Sequence, residues 1–328
     1  MIDKYERYDA LDGLRVVAMF GILFMHVLAN LSYRDEMKLL YRYIVYFGDF
    51  TALFMIVSAF SVNCGYFKRV INGSFSDIEY FYRKRYRKLF PFFAILTVAE
   101  VVSSFSYSSI YEGIANFTMV FGLIPHEHMT TVGVGWTLGV IFVFYLLYPF
   151  FAFCMKDKKR FTLMFIASIF FAFIGNEYFG LGKVDFLYCA IYFTSGCALY
   201  LYRHYVEKLD WRIALGLVLC TGVLFFYFIK MHALLKYFFM LALIIYAIVS
   251  SKRNTVLSGK LMKRISGLSF EIYLCHMFAY RLLEKLNLTR PFNNPYLSYV
   301  LVSIVVFVVS CGVAYGFKRI ENKVVTRR

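Results

Sequence analysis

The chain has 328 residues, 61% of them hydrophobic and 17% charged, with a formal net charge of +16. That composition is too apolar for a soluble domain, and runs near the ~20 residues a membrane span needs recur along the whole length. The runs are continuous rather than alternating, which argues against a β-barrel and for an all-α integral membrane protein. About ten candidate transmembrane helices can be drawn, near 11–31, 44–66, 89–110, 132–155, 161–179, 184–202, 213–229, 233–250, 266–286 and 297–317. They form a single expected domain over 1–328, without low-complexity segments or a strong internal repeat.

The first span carries the most informative pair. Arg15 and His26 lie in an otherwise apolar run and are eleven positions apart. At about 100° per residue the two share one helix face, and at ~1.5 Å per residue they are roughly 16 Å apart along the axis. This places Arg15 near one membrane surface and His26 near mid-membrane. A base and an imidazole in hydrocarbon are costly, so both need partners, water or a function. His26 reads either as a hydrogen-bonded interhelical histidine or as a general base or nucleophile. Arg15 reads as a charge anchor or as a binder of phosphate or carboxylate; Asp12 is available to it at i,i+3, and Gly13 permits close approach of a backbone or ligand. The run has a basic start, but its length, His26 and the lack of a small-residue cleavage site mark it as a span rather than a signal peptide.

Further along, Arg83-Lys84-Arg85-Tyr86-Arg87-Lys88 leads into Pro91 at the start of the third apolar run. It reads either as an ordinary cytoplasmic flank or as a phosphate clamp, since arginine forks match phosphate oxygens. Glu100 lies nine residues beyond Pro91 and reaches toward mid-membrane. Residues 114–124 are apolar but too short to span easily, which leaves re-entrant or interfacial placement open. His126-Glu-His128 has too few placed ligands for a metal site, and a solvated loop explains it better. No metal is expected. His276, in the ninth run, falls at about the same depth as His26, so a shared polar cavity is expected. Asp49, Asp185 and Glu271 are further acidic candidates, each of which could also sit at a span end. The seven cysteines form no CxxC pair and read as apolar filling.

Charge settles the expected orientation. With ten spans, 27 of the 36 Lys and Arg residues fall on the side holding both termini, and 9 on the other. By the positive-inside rule both termini are cytoplasmic. The basicity then reflects topology and anionic headgroups, and no nucleic-acid partner is expected.

Six segments together resemble the integral-membrane acyltransferases of family 3. Leu11-Asp-Gly-Leu-Arg15 with His26 resembles the family's Arg-x10-His element. Leu53-Phe-Met-Ile-Val-Ser-Ala-Phe60 resembles its second-span pattern, with Ala59 where glycine is usual. Phe81 to Pro91 resembles its basic approach to the third span. Trp136-Thr-Leu followed by Phe144-Tyr-Leu-Leu-Tyr-Pro149, then Ser269-Phe…Ile-Tyr273-Leu-Cys-His276, then Phe317-Lys-Arg-Ile-Glu321, resemble later elements in the same order. There are departures. The family's Arg-x-x-Arg pair falls on Arg85 and Lys88, so that Arg83 or Arg87 would share its work. Ile141 and Phe142 stand where many members carry acids. No esterase-like second domain is expected after residue 328.

The resemblance implies an acyl-CoA-dependent O-acyltransferase, with acetyl the expected group and a cell-surface or exported glycan, or a related hydroxyl compound, as acceptor. Acyl-CoA is then a co-substrate, with no bound cofactor. His26, Arg15 and Glu321 are implied as catalytic. Arg85, Lys88, Arg83 and Arg87 are implied for CoA, and Glu321 for organising that basic cluster. His276, Asp12, Glu100, Trp136 and Tyr273 are candidates for supporting or acceptor-side contacts. The expected location is a bacterial cytoplasmic membrane; a homo-oligomer is allowed. The alternative from another class is a secondary transporter or lipid-linked glycan translocase without acyl-transfer chemistry, since buried charges and ten spans fit that as well.

Overall fold

A computed structural model describes residues 7–124, 129–228, 232–253 and 255–325. The protein is all-helical, with no strand among the described residues. In chain order the helices are α1 (Asp9–Asn30), α2 (Lys38–Ile44), α3 (Thr51–Asn72), α4 (Phe75–Ser103), α5 (Tyr107–Thr118), α6 (Trp136–Met155), α7 (Lys158–Phe173) and α8 (Gly175–Phe179). There follow α9 (Phe186–Leu201), α10 (Arg203–Val206), α11 (Trp211–Tyr227), α12 (His232–Ser250), α13 (Lys260–Ser266), α14 (Ser269–Lys285) and α15 (Pro295–Val325).

Five stretches are long and apolar enough to cross a membrane: Asp9–Asn30, Arg34–Asn72, Gly133–Met155, Ala233–Ser250 and Pro295–Lys323. Phe186–Leu201 and Trp211–Tyr227 are apolar but shorter. The other expected spans are helical with local interruptions. The expected 89–110 run lies in α4 and ends at Ser103, because Ser106 caps the separate α5 by accepting from the Ser109 N–H. The expected 161–179 run breaks between α7 and α8 at Ile174. The expected 266–286 run is α14, which carries Glu271, Arg281, Glu284 and Lys285 beside its apolar residues. The apolar 114–124 segment is the end of α5, stopped by Met119 in the left-handed region, followed by one tight turn at Phe121–Leu123.

The described chain forms two compact units. One comprises residues 9–51 and 253–325. Here α1 packs on α13, α14 and α15, and α14 packs along α15. Gly13 explains how close α1 approaches the 256–258 turn. A Cβ at Gly13 would stand 2.3 Å from the Leu257 carbonyl oxygen, so only glycine fits against that backbone. Tyrosine hydroxyls tie the far end: Tyr280 donates to the Asn30 carbonyl (2.7 Å), Tyr299 to Phe24 (3.1 Å) and Tyr33 to Thr289 (2.8 Å). The first of these satisfies the last carbonyl of α1, a useful role where apolar surroundings offer no water.

The second unit comprises residues 7–8 and 52–252. Its helices pair as α11 with α12, α7 with α9 and α4 with α5, while α6 touches α4, α7 and α9. Gly196 on α9 lets α3 come close: a Cβ there would lie 2.4 Å from the Ile56 carbonyl and 2.7 Å from the Ala59 Cβ. The methyl at Ala59, where the family pattern has glycine, is therefore accommodated by a glycine on the facing helix, as in small-residue crossings of membrane helices. Phe144, Phe186 and Phe193 form a stacked aromatic core between α6 and α9.

A substitution tests the closest contact. Gly13→Ala forces a methyl into the Leu257 backbone, which cannot yield as a flexible side chain would. We expect a loss of about 1–3 kcal/mol or more, read as a lower Tm of the detergent-purified protein.

Candidate functional site

In the unit built on α1, the expected residues converge in two places. At the start of α1, Arg15 Nη1 lies 2.8 Å from Asp12 Oδ1, the i,i+3 pair expected from spacing. Asp12 Oδ1 also accepts from the Ser266 hydroxyl at 3.3 Å, and Lys263 Nζ meets Asp9 Oδ2 at 2.6 Å. The first turns of α1 are thus an acidic edge (Asp9, Asp12) bound to bases and hydroxyls from α13 and its own next turn. Acids there also suit the positive end of the helix dipole.

Eleven residues on, the rings of His26 and His276 face each other at a centroid separation of 5.3 Å and an angle of 46°. The two histidines are thus neighbours. His276 is 1% exposed, whereas His26 is only half-buried. Tyr273 is buried one turn before His276, with its ring 6.0 Å from the imidazole. His276 Nδ1 is 2.6 Å from the Tyr273 carbonyl oxygen, and Nε2 has no hydrogen-bond partner among the described residues.

Glu321 is held by Lys318, whose Nζ also meets Glu271; both N–O distances are 2.8 Å. Glu271 is 2% exposed, so Lys318 neutralises a buried carboxylate on α14 and a more open one on its own helix. Reading the sequence missed Lys318. Its signal was available in Phe317-Lys-Arg-Ile-Glu321, where i,i+3 spacing sets Lys318 beside Glu321.

In the other unit the basic run on α4 separates into unlike parts. Arg85 is half-buried, with its guanidinium 4.7 Å from the Tyr66 ring centroid, 5.3 Å from Tyr145 and 5.7 Å from Phe81. Its Nε is buried with no hydrogen-bond partner among the described residues. Arg83 is exposed and pairs with Glu79 one turn back; Arg87 and Lys88 are also exposed. Tyr66 and Tyr145, which make two walls of this aromatic cage, were not singled out from the sequence, because one aromatic among many carries no signal. Phe142, where the family acid would be, lies edge-on to Tyr86 at 6.2 Å, so this chain has aromatic packing there. Glu100 is buried further along α4, and Trp136 begins α6.

The approach to Trp136 is clasped by Glu112 on α5, also unforeseen. Its carboxylate accepts from the Thr130 N–H (2.8 Å), the Thr130 hydroxyl (3.0 Å) and the Thr131 N–H (2.6 Å). Burial works to raise this carboxyl, but the donors of Thr131 and Thr130 outweigh it and hold it below the usual range. Asp185 is buried before α9 and accepts from the Gly182 N–H. His126 and His128 lie outside the described residues. Among those described, no three His, Cys, Asp or Glu side chains converge on one metal position.

Two substitutions test these clusters. Lys318→Met leaves Glu271 buried without its counter-charge and is expected to cost roughly 3–5 kcal/mol, whereas Glu271→Gln with Lys318→Met recovers much of the loss. Thermal unfolding of the three proteins reads this directly. Glu112→Ala is expected to speed amide exchange at Thr130 and Thr131 at neutral pH. In the wild type the contribution of the clasp is complete above the ordinary carboxylate range and is lost as pH falls through the lowered Glu112 value.

No curated protein and no solved structure matches the chain significantly. A family described as an acyltransferase domain matches residues 8–316, nearly the whole length and both units. The chain belongs to this family of membrane acyltransferases, acyltransferase family 3.

Proposed function

We propose that the protein transfers an acyl group, acetyl in the first instance, from cytoplasmic acyl-CoA to a hydroxyl of a cell-surface or exported glycan or a related acceptor. The observation that carries this reading is the half-buried His26 imidazole set against a second, buried imidazole inside the family's matched region. His26 serves as the general base for the acceptor hydroxyl, or carries the acyl group itself; either use needs a neutral ring nitrogen. As base it takes the hydroxyl proton while the oxygen attacks the thioester carbonyl, and the CoA thiolate leaves.

Arg85 supports the donor side. Its buried Nε and caged guanidinium suit a phosphate oxygen, and the exposed Arg83, Arg87 and Lys88 suit the rest of a polyphosphate. Arg15, tied to Asp12, is the candidate for charge near the thioester, and Glu321 acts through Lys318 rather than directly. Trp136, Tyr273 and Glu100 remain candidates for acceptor or supporting contacts. The distribution of Lys and Arg supports ten crossings with both termini in the cytoplasm and a bacterial cytoplasmic membrane as the location. Family membership weighs against transport without chemistry.

The test uses the purified full chain with labelled acetyl-CoA. Wild type is expected to bind and slowly hydrolyse it. His26→Ala is expected to lose transfer by about 100-fold or more while keeping binding, and Arg85→Ala to weaken binding. Absence of binding by wild type, or full transfer without His26, would sink the proposal.

A further inference from the structure

His276 is the buried titratable side chain whose surroundings are most specific. Its Nδ1 faces the Tyr273 carbonyl oxygen at 2.6 Å. A carbonyl only accepts, so Nδ1 carries the proton, and the neutral ring has its lone pair on Nε2. That Nε2 is shielded from water and has no donor among the described residues. A buried acceptor left so is costly. The neighbouring ring belongs to His26, 5.3 Å away between centroids. Hydrogen bonds within catalytic groups are often long or misaligned before substrate binds. A centroid separation of 5.3 Å is of the length that two imidazoles joined nitrogen to nitrogen by a hydrogen bond require.

We infer that His276 is a positioning residue for His26: its Nε2 accepts one ring N–H of His26 and thereby leaves the other His26 nitrogen as the lone pair that meets the acceptor. The inference rests on the reading of His26 as base or acyl carrier. It makes a chain of fixed tautomers, from the Tyr273 carbonyl through His276 to His26. The partner of one ring nitrogen decides the role of the other. Because the Tyr273 carbonyl is backbone and only accepts, the chain has one direction. When His26 takes a proton from the hydroxyl, both its nitrogens carry hydrogen and His276 still accepts. No proton passes to His276.

Three substitutions separate this role from packing. Gln at 276 can place an amide oxygen near the Nε2 position, Asn only near Nδ1, and Phe keeps bulk without either. We expect His276→Phe and His276→Asn to lower kcat for hydrolysis of labelled acetyl-CoA by roughly 100-fold with KM little changed, and His276→Gln to retain most of it. A second readout needs no acyl-CoA: carbethoxylation of His26 by diethyl pyrocarbonate, followed by peptide mass spectrometry. It is expected to slow in the Phe and Asn variants and to persist in the Gln variant. Rescue by Asn but not Gln assigns His276 to bonding Tyr273 alone and overturns the inference. So does full activity of the Phe variant, or an equal loss in all three with a lowered Tm. A wild type inert toward acetyl-CoA sinks the acyltransferase reading, and the carbethoxylation rates then still decide the His276–His26 bond.

Discussion

The pairing of Glu271 with Lys318 governs the half of the protein that carries both histidines. A carboxylate at 2% exposure is intolerable in an apolar interior without a counter-charge, and Lys318 supplies it from α15 at 2.8 Å. A buried ion pair has strict geometry, so it sets the register of α14 along α15 more sharply than sliding aliphatic side chains could. His276 lies five positions after Glu271 on the same helix, and α1 packs on both α14 and α15. The position at which His276 meets His26 is thus tied to a charge pair elsewhere in the unit. Glu321 shares the same ammonium, which ties an acidic residue just past the apolar part of α15 to the buried pair.

The basic run on α4 shows the same economy of burial in the other unit. Five bases in six positions look alike on paper, yet burial divides them. Exposed Arg83 is paired to Glu79, whereas Arg85 turns into a cage of Tyr66, Phe81 and Tyr145. Ring faces hold a guanidinium in place without using its hydrogen-bond donors, which stay available to an anion. A lysine could not be held so, because its charge is a point and its stem is flexible. The split between Arg85 and Lys88 in this chain therefore matters less than the family pattern implies: the caged position has kept its arginine, and the exposed one has not.

Much of this was legible in the residues, for reasons that differ by element. The Arg15–Asp12 pair and the meeting of His26 with His276 followed from helical spacing and equal depth, which local geometry dictates. Gly13 was readable as a close approach, but whether to ligand or backbone depended on the 256–258 turn, which no local pattern places. Lys318 and Glu112 were missed because their partners, Glu271 and Thr130–Thr131, are brought to them by tertiary packing. The break at Ser104–Ser106 was missed because hydropathy reads composition, while the cap at Ser106 depends on one hydroxyl and one amide. Among the described residues five stretches meet the length and apolarity of a span, while Phe186–Leu201 and Trp211–Tyr227 are apolar but shorter.

Under the proposed acyl transfer, burial distinguishes the two imidazoles. A base must touch its substrate, and a nitrogen shielded from water cannot be reached by a hydroxyl without moving the wall that covers it. His276 Nε2 is shielded in this way, and its Nδ1 is already committed to a backbone carbonyl. His26 is half-buried instead. The roles are therefore not interchangeable. Under that proposal, a reactive imidazole on α14 would require uncovering a side chain that is now buried, whereas one on α1 shares its helix with Arg15. On the proposed reading, buried His276 is the fixed ring and half-buried His26 is the one left to meet an acceptor.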